Sequence, residues 1–318
     1  MIEVKHLTKR YGGHTAVSDL SFTIQKGQIY GFLGPNGAGK STTMNIMTGC
    51  LAATAGEVKV GGYDIFEEAE AAKRLIGYLP EQPPLYLDRT PREYLRFVAE
   101  AKGIPVAQRK EQILRVMEVT QITDVADRLI KHLSKGYKQR VGIAQAILGD
   151  PEVIILDEPT VGLDPRQIVE IRELIRELGK DHTVILSSHI LSEVQSVCQT
   201  ILIISQGKLV ACDSPENLER LFAGTAVIEI TTDAQPEELP QILATVEHIS
   251  GLESRKNESG TTEVRLAMDV PAEDHLCREI FFAFCRAEKA ILQMSMAKVS
   301  LEDIFMELTQ TEQEGGAL

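Results

Sequence analysis

Gln28-Ile29-Tyr30-Gly31-Phe32-Leu33, then Gly34-Pro35-Asn36-Gly37-Ala38-Gly39-Lys40-Ser41, then Thr42-Thr43-Met44-Asn45-Ile46-Met47 places an apolar strand pattern, a glycine loop and a helical pattern in immediate succession. Glycines let the backbone wind tightly, so that consecutive N–H groups point inward at a helix start and form an anion nest. In such a loop Lys40 neutralises charge on β- and γ-phosphates, and the Ser41 hydroxyl is a Mg²⁺ ligand. A nucleoside triphosphate site follows, with contacts expected from Gly34, Pro35, Asn36, Gly37, Ala38, Gly39, Lys40, Ser41 and Thr42.

A second segment, Val153-Ile154-Ile155-Leu156-Asp157-Glu158, suits a fully buried parallel strand that ends in two carboxylates. With its C-terminal end beside the phosphate loop, Asp157 would stand near the metal's hydration shell. Glu158 would stand near the water in line with the γ-phosphate, as general base.

Around these segments the first 224 residues alternate β-branched runs (IEVKHL, GQIYGFL, GEVKVGG, EVIILD, TVILSS, TILIIS) with helical patterns. That alternation predicts a largely parallel sheet sandwiched by helices. From about 88 to 150 the pattern is almost purely helical, which reads as an insertion interrupting the sheet. From 225 to about 310 the order of patterns is β-α-β-β-α-β-α, a small α+β, ferredoxin-like accessory domain, and residues 311–318 read as a disordered tail.

Charge divides the chain at the same place. Residues 225–318 hold 7 Lys+Arg against 18 Asp+Glu, which leaves 26 against 28 for the first 224 residues. A boundary is therefore expected near Ala223-Gly224-Thr225, with the nucleotide-binding domain before it, over 1–222. The overall net charge of −13 disfavours nonspecific nucleic-acid binding. The five cysteines form no CxxC pair and read as reduced thiols, mostly in cores. No stretch reaches the length of a membrane span, and the start lacks a secretory apolar block, so the chain is expected to stay in the cytoplasm, and any peripheral place on the cytoplasmic face of a membrane would come through a partner.

Leu133-Ser134-Lys135-Gly136-Tyr137-Lys138-Gln139-Arg140 supplies a third segment, ahead of the strand ending in Asp157-Glu158. By itself Ser-x-Gly before a helix is a capping motif. Together with the phosphate loop it resembles the LSGGQ-type signature of the ATPase subunits of ABC transporters, matching at Leu133, Ser134 and Gly136 and departing at Lys135 and Tyr137. The resemblance covers residues 1 to about 222 and implies an ATPase that binds ATP and Mg²⁺. It also implies a head-to-tail dimer, of identical chains or of closely related ATPases, in which Ser134 and Gly136 of one chain close on the γ-phosphate held by the other.

The same resemblance implies roles at four more positions. Tyr11 would stack on adenine. Gln82, in GYLPEQPPLY, would touch Mg²⁺ or water and link the core to the helical insertion. Asp164 would cross the dimer interface, and His189 would hydrogen-bond the γ-phosphate. GYLPEQPPLY, LSKGYKQR and the terminal SLEDIFMELT together resemble the exporter-type subgroup, whose membrane subunits are separate polypeptides. A non-transport ABC ATPase of translation or chromosomes would carry two cassettes or long coiled coils. A switch GTPase would carry Asn-Lys-x-Asp, and neither pattern is present.

Overall fold

The computed structural model describes residues 1–222, 227–257, 260–270 and 274–297. The chain divides after Pro215 into two compact units, 1–215 and 216–318. The expected boundary at 223–225 and the last helix and tail of the chain lie outside the described residues.

The first unit opens with β1 (Ile2–Tyr11) and β2 (His14–Ile24), an antiparallel pair whose register closes at Tyr11 opposite His14. The connecting loop is Gly12-Gly13, with Gly12 at φ +58°. A two-residue glycine loop of this kind favours a hairpin because its twist matches that of the strands. β3 (Ile29–Leu33), α1 (Lys40–Met47), β4 (Ala55–Val60), β5 (Tyr63–Asp64), α2 (Ala69–Arg74) and β6 (Ile76–Leu79) follow. β1 also pairs with β4, giving a four-stranded antiparallel sheet in the order β2-β1-β4-β5. The single, largely parallel sheet expected for this unit is thus two sheets. IEVKHL and GEVKVGG belong to the antiparallel one: the tight Gly12-Gly13 turn leaves no room for a crossover between β1 and β2, and β4 pairs antiparallel with β1.

After β6 come the three helices of the insertion, α3 (Pro91–Ala101), α4 (Val106–Val119) and α5 (Lys135–Ile147). α3 starts on a reciprocal cap: Glu93 N–H donates to Thr90 Oγ1 at 3.3 Å and Thr90 N–H donates to the Glu93 carboxylate at 3.0 Å, with Pro91 at the first helical position. The chain then returns through β7 (Val153–Leu156), α6 (Pro165–Leu178), β8 (Thr183–Ser188), α7 (Leu191–Val197), β9 (Thr200–Ser205) and β10 (Lys208–Asp213). The second sheet runs β10-β9-β3-β8-β7-β6, parallel throughout except at the β9–β10 edge.

Its central strands β3, β7 and β8 are buried at every position, which is why their sequences are runs of apolar residues without polar alternation, β8 adding buried hydroxyls only at its ends. Between the two sheets lies a shared core that includes Phe32, Leu20, Met44, Ile155, Ile185 and Leu202, with Phe22 and Phe32 packed edge to face at 5.4 Å. Each such aliphatic side chain removed from water contributes about 1.5–3 kcal/mol. The consequence for chemistry is geometric: the C-terminal ends of β3, β6, β7 and β8 open on one edge.

α8 (Pro215–Phe222) begins at the division. The second unit contains β11 (Val227–Thr232), α9 (Leu239–Ile242), β12 (Ile249–Lys256), β13 (Thr262–Met268), α10 (Asp274–Arg286) and β14 (Ile291–Ala297). Its antiparallel sheet runs β12-β13-β11-β14, and the β-α-β-β-α-β order is the one read from the sequence. Strict alternation in β11 and β13 sends Ile228, Ile230, Val264 and Leu266 inward, where they meet Leu276, Ile280 and Phe284 of α10. None of the five cysteines forms a disulfide; Cys198 is buried and Cys277 packs partly buried against the second unit's core, whereas Cys50, Cys212 and Cys285 are exposed and lie outside the cores in which most were expected.

Candidate functional site

The phosphate loop is shaped by where the chain must turn. Gly39 caps α1 at φ +103°, a conformation that disfavours any side chain, and a Cβ there would lie 2.6 Å from the Ala16 carbonyl oxygen. The Gly207 N–H donates to the Ala38 carbonyl at 3.0 Å and ties the loop to the β9–β10 turn. Lys40, the first residue of α1, is only 6% exposed. Its Nζ donates to the Gly34 carbonyl at 2.8 Å and the Pro35 carbonyl at 3.3 Å, and stands 3.5 Å from Glu158 Oε1. A buried cation at the positive end of a helix favours an anionic guest.

Two strands away in the sheet, β7 delivers Asp157 and Glu158, and β8 lies between β7 and β3. Asp157 Oδ1 accepts from Ser187 Oγ at 2.6 Å and from Ser41 Oγ at 3.1 Å, while Ser187 Oγ accepts from the Glu158 N–H at 2.8 Å. Glu158 turns at φ +49°, a left-handed conformation costing a non-glycine residue about 1–2 kcal/mol. The Ser187 bond and the Val161 N–H, which donates to the Glu158 carbonyl at 3.2 Å, hold it there. Behind this pair the Tyr78 hydroxyl donates to Asn45 Oδ1 at 3.2 Å. Burial, with the nearby Asp157 charge, pushes the Tyr78 hydroxyl well above its ordinary pKa and keeps it a neutral donor.

His189 follows β8 directly, and its Nδ1 lies 2.9 Å from Glu158 Oε2. A cleft of about 580 Å³ is lined by Tyr11, the loop from Asn36 to Thr42, Glu158 and His189. Tyr11 is 48% exposed, with the Lys9 ammonium 5.1 Å from its ring centroid. One ring face thus carries a cation contact. Gly34, Pro35 and Asp157 are not among the lining residues. They act from behind, the first two through carbonyls that hold Lys40.

Gln82 does not line the cleft and is exposed; its neighbour Glu81 takes the lining position. The strand register explains the displacement by one residue. Leu79 of β6 pairs with Leu156 of β7, and the Asp157 N–H donates to the Leu79 carbonyl at 2.9 Å. Glu81 and Glu158 therefore each stand two residues past a paired position, side by side on adjacent parallel strands. Residue type pointed to glutamine, whereas counting residues from the end of the IGYL strand would have pointed to Glu81.

Ser134, Gly136 and Asp164 stand apart from the cleft and together with one another. Ser134 Oγ accepts from the Tyr137 N–H at 3.3 Å and caps α5, and Asp164 Oδ1 accepts from the Gln167 N–H at 2.9 Å and caps α6. Gly136 packs so closely on α6 that a Cβ would lie 2.8 Å from the Gln167 amide. The Lys135 ammonium occupies the place that a Cβ on Gly162 would take. Tyr137, in place of the usual glutamine, donates its hydroxyl to Asp124 at 2.7 Å, a bond that raises its pKa. Two helix N-termini thus form one face, built from the signature and from the turn after Glu158.

The oxygen donors Ser41 and Asp157, already within 3.1 Å of each other, match the hard, small coordination preference of Mg²⁺. Among the described residues no helix is long and apolar enough to cross a membrane.

A family model described as "ABC transporter" matches residues 17–161. The linearmycin resistance ATP-binding protein LnrL of Bacillus subtilis (strain 168) is 32% identical over 312 residues, covering 97% of this chain and 98% of its own. The Nod factor export ATP-binding protein I of Paraburkholderia xenovorans (strain LB400) is 32% identical over 98% of each chain. Among solved structures, the dimeric structure of a bacterial ABC transporter cassette is similar at a TM-score of 0.62 and 26% identity, covering 67% of this chain and 98% of that one.

Proposed function

The chain belongs to the ABC transporter family as an ATP-binding and ATP-hydrolysing subunit, and from that premise we propose that two copies clasp two ATP molecules between the cleft of one and the signature face of the other. The observation that carries this reading is the separation just described. Lys40, Glu158 and His189 meet in one cleft, while Ser134, Gly136 and Asp164 gather on another face of the same unit. A head-to-tail pair brings the two faces together, and identical chains suffice for it.

Within each joint site Lys40 and the loop N–H groups bind the β- and γ-phosphates, and Tyr11 offers its ring to adenine. Ser41, Asp157 and Glu81 would hold Mg²⁺, which when bound neutralises charge between the two phosphates. Glu158 accepts the proton of the attacking water as its oxygen bonds to the γ-phosphorus and the bond to the β–γ bridging oxygen breaks. His189, within reach of Glu158, orients that carboxylate and contacts the departing phosphate. Ser134 and Gly136 supply donors from the partner copy, so loss of the γ-phosphate removes the charge that bridges the two.

Motion leaves the site through Glu81 and the segment after it. Tyr86, Leu87 and Phe97 are each about half exposed, and Tyr86 packs on Tyr94 and Phe97 with centroids 5.7 and 5.2 Å apart. This aromatic cluster is where a helix of a separate membrane subunit would dock on the cytoplasmic side, with export as the direction that the relatives' names favour. Tagged chain purified from detergent-solubilised membranes should bring a polytopic membrane protein with it, and Tyr86→Ala/Phe97→Ala should lose that protein while keeping ATP binding. Recovery of the chain alone from the soluble fraction, hydrolysing ATP with no membrane partner in any preparation, would contradict the reading.

A further inference from the structure

Among the described residues three carboxylates are buried: Asp157, Glu158 and Glu193. Glu158 lines the cleft and Asp157 stands directly behind it. Glu193, 4% exposed on α7, has no part in the chemistry set out above. Taking a carboxylate out of water costs several kcal/mol unless hydrogen bonds replace its hydration. Its partners are therefore informative.

Glu193 Oε2 accepts from Thr160 Oγ1 at 2.6 Å and from Ser188 Oγ at 2.9 Å, while Oε1 lies 3.9 Å from the Arg172 guanidinium. Thr160 is two residues past Glu158 and four before Asp164. Ser188 immediately precedes His189, and its Oγ also accepts from the Ile190 N–H at 3.0 Å, fixing the backbone on the far side of the histidine. A single carboxylate oxygen thus joins the segment that leaves the general base to the segment that carries the histidine. Charge-assisted bonds of this kind are short and roughly twice as strong as neutral ones.

We propose that Glu193 is a positioning residue for hydrolysis, a buried clamp that holds the turn from Glu158 to Asp164 against the strand end bearing His189. The proposal rests on the roles given above to Glu158, Asp164 and His189. The clamp acts on the hydrolytic side of the cleft and has its bonds to Thr160 and Ser188, not to the phosphate loop. Its loss should lower turnover and leave nucleotide affinity alone, because misplacing a reacting group by about 1 Å costs as much as ~10²-fold in rate.

The test uses the purified full chain, with kcat, KM and the Kd for ATP measured for Glu193→Ala, Glu193→Gln, Thr160→Val and the Glu193→Ala/Thr160→Val double variant. Glu193→Ala should lower kcat about tenfold or more with Kd within about twofold of the parent, and Thr160→Val should lower it by about threefold or more. Glu193→Gln, whose amide oxygen keeps both hydroxyl bonds, should recover most of the turnover. The double variant should be no slower than Glu193→Ala alone, because both changes break one contact. Unchanged kcat in Glu193→Ala, losses that multiply in the double variant, or a fall in affinity equal to the fall in kcat would each overturn the proposal. If Glu193→Ala does not fold, unchanged kcat in Thr160→Val overturns it alone. Normal turnover by Glu158→Gln would instead sink the reading of the cleft, a result separate from any of these.

Discussion

The cleft and the signature face are both made of loop residues at the ends of regular elements, yet they differ in how their polar groups are satisfied. At the cleft, buried Lys40 and Glu158 stand 3.5 Å apart as an ion pair, and Asp157 behind them is held by the Ser41 and Ser187 hydroxyls, so the charges are fixed by partners within the same chain. On the signature face, Ser134 and Asp164 spend their side-chain oxygens capping their own helices. The first arrangement is preorganised chemistry. The second is a pair of capped helix N-termini, whose partial positive charge suits an anionic guest. The contrast is what the two-copy proposal rests on: in it, one copy supplies the groups proposed for bond cleavage and the other supplies the surface that closes over them.

Substitutions should separate the two regions by which step they affect. Glu158→Gln should bring the largest change, lowering kcat by about 10²–10⁴-fold, with ATP-dependent dimer accumulating in gel filtration. Lys40→Ala should next remove ATP binding itself, read by equilibrium binding of a fluorescent nucleotide; retained affinity would erase the distinction between the regions. Gly136→Asp should leave ATP binding to the single chain intact and abolish ATP-dependent dimerisation. The new side chain meets Gln167 and adds a negative charge to the face proposed to receive phosphate.

The neighbouring pair Glu81 and Gln82 offers a finer comparison. Glu81→Ala should lower kcat about tenfold and raise the magnesium concentration needed for half-maximal activity, whereas Gln82→Ala should stay within about twofold. The opposite ranking would return the metal role to Gln82. The smallest effect on catalysis is expected from the second unit. Leu266→Ala should destabilise it by about 2–5 kcal/mol in denaturant unfolding, with kcat per folded molecule unchanged.

Much of this was legible in sequence where a function needs contiguous residues. The loop from Gly34 to Ser41 and the Asp157-Glu158 strand end are local motifs, and local motifs survive reading one residue at a time. The β-α-β-β-α-β order of the second unit was legible because β11, β13 and α10 keep clean periods. The separate antiparallel sheet was missed because β1 and β2 carry mixed patterns, with Gly12-Gly13 as the overlooked signal. The position of Glu81 at the cleft was missed because it depends on the β6–β7 register, a relation between segments 77 residues apart that no local pattern encodes. Glu193 was invisible for the same reason: its partners come from two other segments.

A crystal structure of the Glu158→Gln chain with ATP and Mg²⁺ addresses the shared site most directly. The γ-phosphate should lie within hydrogen-bond reach of Lys40 from one copy and of Ser134 and the Gly136 N–H from its partner. A terminal phosphate contacted by a single chain, together with parent protein that hydrolyses ATP at full rate as a monomer in solution, would contradict the two-copy account.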